Sequence, residues 1–245
     1  MIELFLIGIG TGNPDHLTGE ARHAIAQADL FLVPNKGAGK SDLADLRTQI
    51  IDTVRGDATV AMFDMPVRDE SKPYLARVDA WHDEIAVIWA DTIAQHPNAR
   101  RIALLVWGDP SLYDSTLRIA ARLDPAPRIT VIAGITSIQA LTAAHAIPLN
   151  TLNGPVTIST GRQLRDHGWP DGCETLVVML DGACAFQDLE GAYDIWWGAY
   201  LGMEEQVLAA GRLPDITEQI IAKRAAARAA HGWIMDTYLL RRVRS

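Results

Sequence analysis

The residues with the clearest capacity for chemistry lie where an apolar run stops. Val106-Trp107-Gly108-Asp109-Pro110-Ser111-Leu112-Tyr113-Asp114-Ser115 closes the run that begins at Ile102 and opens a helical pattern near Ser115. Gly108 lets the backbone approach a ligand closely, Asp109-Pro110 imposes an extended or turned geometry, and Ser111 or Ser115 can cap the helix beyond. In an open α/β sheet this carboxyl end of a strand is where small molecules bind. Two more turns repeat the plan. Gly8-Ile9-Gly10-Thr11-Gly12-Asn13-Pro14 succeeds the apolar run from Ile2, and Ala133-Gly134-Ile135-Thr136-Ser137 succeeds Arg128-Ile129-Thr130-Val131-Ile132. Backbone N–H groups at such turns and at helix N-termini suit carboxylate or ribose oxygens, so three of them at one sheet edge form a candidate cofactor cleft. The alternative is three ordinary strand-to-helix turns.

Better-known nucleotide motifs do not fit. The first turn lacks the Gly-x-Gly-x-x-Gly spacing, and Pro14 stands where a dinucleotide fold would begin its helix, which disfavours a nicotinamide or flavin enzyme. Gly39-Lys40-Ser41 ends like a phosphate loop, but the glycine that motif needs is Pro34. With 245 residues, 49% of them hydrophobic, the chain can bury a full core without disulfide or metal staples. A net charge of −8 argues against non-specific nucleic-acid binding, which rests on a basic field. Cys173 and Cys184 match neither a metal-binding pair nor a disulfide framework, so no metal site is expected and the thiols read as buried in a reducing compartment. The N-terminal run is too short for a membrane span and is interrupted by Glu3 and Gly8. The expected location is therefore cytoplasmic.

The elements that must position these turns come from periodicity. Strands are expected over Ile2–Ile9, Asp29–Pro34, Ile102–Trp107 and Arg128–Ile132, with helices after Thr18, over 42–54 and from Tyr74 to Ile93. Arg47, on the second of these helices, reads as part of a solvated face, and residues 56–73 read as loop. Arg68, Lys72, Arg77 and His82 gather cations beside the entrance of a possible pocket. Ile147–Pro155 carries two prolines and few core residues, so domains are expected over 1–150 and 151–245. In the second, Val156–Thr160, Glu174–Leu180, Tyr193–Leu201 and Trp233–Leu240 read as strands, and Ala183–Leu189, Met203–Ala210 and Ile216–Ala230 as helices. The fold class is α/β and two-lobed, with a mostly parallel N-terminal sheet and a mixed C-terminal one.

The turn Gly8–Asp15 with Leu17-Thr18, the stretch Gly108-Asp109-Pro110 to Tyr113, and Gly134-Ile135-Thr136-Ser137 followed by Ile147-Pro148-Leu149 together resemble the ordered motif set of the tetrapyrrole methylase family. Three motifs at compatible spacing are far more specific than any one. The resemblance implies an enzyme that holds S-adenosylmethionine in a cleft between two lobes and releases S-adenosylhomocysteine, commonly as a homodimer, with a tetrapyrrole as substrate and neither nucleic acid nor membrane as partner. Further segments, Val33-Pro34-Asn35-Lys36-Gly37, Met65-Pro66-Val67-Arg68 through Trp81-His82, and Trp197-Gly198-Ala199-Tyr200-Leu201-Gly202, are similar to those of a subgroup that methylates carbon 1 of precorrin-5 and releases acetate. Ala133 stands where the family commonly has proline, and Gly232-Trp233-Ile234 replaces its usual Ser-Pro-Ala pattern.

Matched residue by residue, the resemblance implies cofactor contacts from Thr11, from Trp107, Gly108, Asp109 and Leu112, and from Thr136 and Ser137. Leu180, Tyr200, Leu201 and Trp233 are the second lobe's counterparts. Acetate release needs water to attack an acetyl carbonyl, for which Asp109, Asp114 and His82 are candidates, with Tyr113 orienting the acetyl oxygen. Lys36, Lys40, Arg68, Lys72 and Arg77 are the candidates for binding substrate carboxylates. The rival expectations are a methyltransferase of the same superfamily acting on another precorrin, a protein or ribosomal RNA, and a non-catalytic nucleotide-binding domain.

Overall fold

Large apolar side chains that alternate along Glu3–Gly8 (β1) enter two different cores, and this alternation builds the first sheet. In the computed structural model, which describes residues 2–35, 41–71 and 73–243, Phe5 and Ile7 pack on one face while Leu4 and Leu6 pack on the other. The chain continues through Gly19–Gln27 (α1), Leu30–Asn35 (β2), Ser41–Val54 (α2), Val60–Asp64 (β3), Tyr74–Ala94 (α3), Arg101–Val106 (β4), Thr116–Ala120 (α4) and Arg128–Ile132 (β5). All five strands are parallel, in the order β3-β2-β4-β1-β5. Ile25 of α1 with Ile50 and Ile51 of α2 cover one face; Ile85 and Trp89 of α3 with Ile119 of α4 cover the other. Each such buried side chain contributes about 1.5–3 kcal/mol. Since β1 lies between β4 and β5, the carboxyl ends of these three strands are neighbours.

Two compact units divide the chain, Met1–Thr136 and Ser137–Ser245. Ser137–Ala144 (α5) packs on strands of the second unit, and Arg241 Nη2 donates to the Leu149 carbonyl at 3.1 Å. The proline-bearing segment expected to hold the domain boundary is thus tied into the second unit, and the contacts divide the chain after Thr136. This unit continues with Val156–Thr160 (β6), Gly161–His167 (α6), Thr175–Met179 (β7), Tyr193–Ala199 (β8), Val207–Arg212 (β9), Leu213–His231 (α7) and Asp236–Arg242 (β10). Its sheet, β6-β7-β10-β8-β9, is mixed: β6 and β7 run parallel and the other pairs antiparallel. The core is aromatic, with Trp197, Tyr238, Tyr200 and Phe186 among its largest fully buried side chains. Among the described residues no helix is long and apolar enough to cross a membrane.

The structure corrects several expectations. Residues 56–73 are not all loop, because Val60–Asp64 adds to the free edge of β2 with Ala61 and Phe63 turned inward. Met203–Ala210 is not a helix. From Val207 onward it pairs with β8, and ladder bonds to an open strand edge outrank the helix propensity of Leu208, Ala209 and Ala210. The expected helix over Ala183–Leu189 is a single 3-10 turn, Ala185–Asp188. Helix α6 was not expected. Thr160 caps it by accepting the Gln163 N–H, and Gly168 ends it at φ +71°. Arg47 is 7% exposed rather than solvated, and its Nε donates to the Leu105 carbonyl at 3.0 Å.

A buried ion pair braces the second unit. Arg224 of α7 donates through Nε to Asp236 Oδ2 at 2.9 Å, with the two side chains 12% and 6% exposed. The Trp197 indole N–H donates to the same oxygen at 3.0 Å. Burial still holds the Asp236 carboxyl above its usual range, against the opposing pull of Arg224 and the indole. Replacing Arg224 with Met leaves this carboxylate without its cation. The expected loss is about 3–5 kcal/mol of unfolding free energy in urea denaturation at neutral pH.

Candidate functional site

The three glycine-bearing turns meet at the carboxyl edge of the parallel sheet. Past the end of the regular ladder, Ile9 N–H donates to the Val106 carbonyl at 2.9 Å, and Gly10 and Gly108 exchange bonds of 3.2 and 2.7 Å. Both glycines have positive φ, +73° and +68°, a conformation that a side chain would strain. The third turn lies against the other two. A Cβ on Gly134 would sit 2.1 Å from the Gly108 carbonyl oxygen, and one on Gly8 would sit 2.6 Å from the Gly134 nitrogen. Packing requires glycine at 8 and 134, and the positive φ favours it at 108.

Asp109 locks the arrangement. Its Oδ2 accepts the Gly134 N–H at 2.8 Å, while Oδ1 accepts the Ser111 N–H at 2.8 Å and the Ser111 hydroxyl. Burial alone would raise this carboxyl, but the Ser111 hydroxyl and the two N–H groups outweigh it and hold the group below the usual carboxylate range. The Trp107 ring covers Gly12, where a Cβ would come within 2.9 Å of Cη2, and Leu46 of α2 closes in from the other side at 3.2 Å. Thr11 is 5% exposed, and its Oγ1 lies 2.9 Å from His16 Nδ1.

In the second unit, the ends of β7 and β8 and the start of β10 share one sheet edge. Leu180 sits there at φ +53°, 65% exposed. The adjacent Asp181 fixes it: Oδ1 accepts the Ala183 N–H at 2.9 Å, and Oδ2 accepts the Ala185 N–H at 2.7 Å and the Tyr238 hydroxyl at 2.6 Å. Arg224 Nη2 donates to the Asp181 carbonyl at 2.8 Å. Tyr200, also at positive φ, donates its hydroxyl to the Trp233 and Ala227 carbonyls and stands edge-on to the Trp233 ring at 5.0 Å. The hydroxyl of Thr237 donates to that of Ser137 at 3.0 Å.

The sequence pattern of the family described as Tetrapyrrole (Corrin/Porphyrin) Methylases matches residues 3–217. The chain belongs to the tetrapyrrole methylase family. It is 45% identical over 251 residues to the "Precorrin-6A synthase [deacetylating]" of Sinorhizobium sp., covering 99% of this chain and 96% of that one. Among solved structures, a "putative cobalamin synthesis related protein (CobF)" from Corynebacterium diphtheriae superposes with a TM-score of 0.86 at 39% identity over 100% of both chains. A uroporphyrin-III C-methyl transferase from Thermus thermophilus, crystallised with S-adenosyl homocysteine, shares the fold alone, with a TM-score of 0.59 at 16% identity and coverage of 97% and 96%.

Against this tetrapyrrole methylase background, the residues singled out in the sequence fall into three groups. Thr11, Trp107, Gly108, Asp109 and Thr136 lie on the three joined turns of the first unit, and Leu112 comes directly after. Ser137, Leu180, Tyr200 and Trp233 lie at or beside the edge of the second unit, but Tyr200 and Leu201 are 2% and 5% exposed, so they present backbone rather than side chains. The acid-base candidates scatter. Asp114 Oδ1 accepts the Thr116 N–H at 2.6 Å at the start of α4, and Tyr113 is held at φ +50°, 44% exposed. His82 is 4% exposed, on the face of α3 that also buries Ile85, Ala86 and Trp89, and its Nε2 has no hydrogen-bond partner among the described residues. It is a core residue, badly placed to activate water.

Among the cation candidates, Arg68 lies beyond β3 at the same carboxyl edge, and its Cζ lies 4.1 Å from the centre of the Trp81 ring. The Trp81 N–H donates to the Pro66 carbonyl at 2.8 Å, which fixes the ring. Arg77 lies over Tyr74 at 5.7 Å. Lys36, Lys40 and Lys72 lie outside the described residues. Sequence reasoning missed His16, Asp181, Arg224 and Thr237; His16 follows directly on the Gly8–Asp15 stretch without being part of its glycine pattern, and contacts tie the four to the candidate positions. Surface hollows of about 390 and 520 Å³ open at the opposite, amino edge of the first sheet, lined by residues such as Asp29, His96 and Pro97, and contain none of the candidate residues.

Gly134→Ala drives a methyl group into the Gly108 carbonyl, with an expected cost of about 1–3 kcal/mol. Thermal denaturation should show that loss, and calorimetry should show weakened S-adenosylhomocysteine binding. His82 gives a pH dependence. Burial, then the charges of Arg122, Arg118 and Arg68, hold its imidazole below its ordinary value of 6.5. As pH falls below that value the unfolded chain takes up a proton that the folded chain refuses, so stability declines on the acid side. The decline between pH 7.5 and 5.5 should be smaller in His82→Leu, as measured by urea midpoints.

Proposed function

We propose that the chain is an S-adenosylmethionine-dependent C-methyltransferase of corrin assembly that methylates carbon 1 of precorrin-5 and releases acetate, giving precorrin-6A. The observation that carries this is the identity to the Sinorhizobium enzyme over nearly the whole of both chains. The glycine-turn edge fits a nucleoside ligand, since turns without side chains at Gly8, Gly108 and Gly134 let a ligand come close to main-chain N–H groups. S-adenosylmethionine supplies an electrophilic methyl group when bound. Thr11, the Trp107–Asp109 backbone, Leu112 and Thr136 in the first unit, with Ser137, Leu180, the Tyr200–Leu201 backbone and Trp233 in the second, are the residues that would hold it.

The macrocycle brings its own nucleophilic carbon, so the chain's task is to bind, orient and exclude bulk water rather than to activate a side-chain nucleophile. Asp109 serves as a brace in this scheme, because both of its oxygens already accept bonds within the turns. Arg68 meets a substrate carboxylate. Its guanidinium is spread on the Trp81 ring and its fork of donors stays available for a bidentate anion. Arg77, on α3, is a second cation for the same carboxylates, and Lys36, Lys40 and Lys72 are candidates on sequence grounds alone. A ribosomal RNA substrate is disfavoured by the net charge of −8. The free, buried thiols of Cys173 and Cys184 suit a cytoplasmic enzyme, and family habit suggests a homodimer.

Isothermal titration should give a specific signal with S-adenosylhomocysteine and none with adenine dinucleotides, and incubation with precorrin-5 and S-adenosylmethionine should release one acetate per methyl transferred. Arg68→Ala should raise KM for the precorrin by about tenfold or more while leaving S-adenosylhomocysteine affinity unchanged. A chain that binds adenine dinucleotides instead would sink the assignment.

A further inference from the structure

We propose that His16 is the general base that activates water for acetate release; this rests on the reaction assigned above. The residue sits in a single 3-10 turn, Pro14–His16, whose direction is set by its neighbours. Asn13 caps the turn by accepting the Asp15 N–H at 2.9 Å, the His16 N–H donates to the Asn13 carbonyl at 2.9 Å, and Arg22 Nη2 donates to the Pro14 carbonyl at 2.8 Å. His16 lies directly against the node that joins the first two turns. A Cβ on Gly10 would come within 2.7 Å of His16 Cβ, so the glycine that bonds to Gly108 also makes room for this side chain.

The ring is oriented at one nitrogen only. Thr11 Oγ1 lies 2.9 Å from Nδ1, and Thr11 is itself 5% exposed and fixed in the first turn. When Nδ1–H donates to that oxygen, Nε2 keeps its lone pair. Nε2 has no hydrogen-bond partner among the described residues, and His16 is half-buried rather than sealed in the core. A base whose far nitrogen is held by a third group is the arrangement that positions an imidazole to take a proton.

No other histidine combines these features. His23 bonds to Gln27 on the outer face of α1, His82 is sealed in the core, and His96 precedes β4 at the amino edge of the sheet. In the second unit, the His145 ring is engaged with the Trp197 carbonyl, His167 ends α6, and the His231 ring stands against Tyr200. Of the carboxylates at the turns, Asp109 and Asp114 already accept backbone N–H groups, and Asp15 is exposed on the 3-10 turn with no group that orients its carboxylate among the described residues.

The step balances without an added oxidant or reductant. Nε2 takes one proton from water as the oxygen adds to the acetyl carbonyl carbon. The bond between that carbon and ring carbon 1 then breaks, its electron pair stays on the ring, and acetic acid leaves and ionises. The pair left on carbon 1 is the one that methylation requires.

The test uses the full chain with precorrin-5 and S-adenosylmethionine. His16→Asn and His16→Gln should each slow acetate release about 10²–10⁴-fold, with unchanged thermal midpoint and with S-adenosylhomocysteine affinity within twofold of wild type. Added imidazole should restore part of the rate, and His23→Asn should behave as wild type. Acetate release by both His16 variants within threefold of wild type overturns the proposal and leaves the reaction standing. Loss of S-adenosylhomocysteine binding in both also overturns it, by making His16 a structural residue. A wild-type chain that binds S-adenosylhomocysteine but releases no acetate removes the reaction itself, and the role of His16 with it.

Discussion

Backbone-to-backbone contact among Gly8, Gly108 and Gly134 is the constraint on which the candidate site depends. Three parallel strands end side by side only if their turns do not collide, and a methyl group on Gly8 or Gly134 would collide at 2.1 to 2.8 Å, while Gly108 is held at φ +68°. Hydrogen bonding holds neighbouring strands about 4.8 Å apart; the absence of side chains lets the chain keep that proximity for one more peptide beyond the ladder. The paired Gly10 and Gly108 extend the sheet by an isolated antiparallel bridge that regular parallel pairing cannot supply. Asp109 then converts proximity into rigidity, because its two oxygens reach both its own turn and the next. A carboxylate bound this way cannot also be a free base, and that is why the acid-base work is assigned elsewhere.

The second unit solves the same problem with charge instead of glycine. Leu180 and Tyr200 are ordinary L-residues held at positive φ, a conformation that costs about 1–3 kcal/mol each. Something must over-determine them. Asp181 does so for Leu180, and the Tyr200 hydroxyl does so for the approach to β10 through its bonds to the Trp233 and Ala227 carbonyls. Arg224 links the two regions by reaching both Asp236 and the Asp181 carbonyl. Two buried acids around one arginine make a poor source of net stability, since desolvation offsets most of the attraction. They make a good source of specificity, because the network is satisfied in one arrangement of the strand ends.

Legibility in the sequence divides along the same line. The glycine turns were legible because glycine is rare at such positions unless the backbone needs the room, and strand periodicity placed each turn at the end of an apolar run. The central strands were legible for a similar reason, being buried on both faces. Two of the four edge strands, β3 and β9, were not, because a short apolar run does not by its periodicity tell strand from helix or loop, and Val207-Leu208-Ala209-Ala210 is equally compatible with a helix. Arg47 was misread since one charge on an amphipathic helix looks the same whether it faces solvent or a strand carbonyl. His16, Asp181 and Arg224 carry no local pattern at all. Their partners are set by the fold, so their significance lies in contacts rather than in spacing.

Substrate choice has to reside outside the glycine turns, because a site made of main-chain atoms tells one nucleoside from another far better than it tells one macrocycle from another. The acidic chain sharpens this point. A net charge of −8 repels a polycarboxylate at long range, yet the Debye length of about 8 Å at physiological salt confines that repulsion to the near surface. Within that distance a single oriented guanidinium outweighs distant carboxylates. Arg68 is oriented by Trp81, and Trp81 by the Pro66 carbonyl, so the segment after β3 carries a cation whose direction is built into the fold. The same carboxyl edge that holds the glycine turns therefore holds this guanidinium, and the parallel order of the strands places both there.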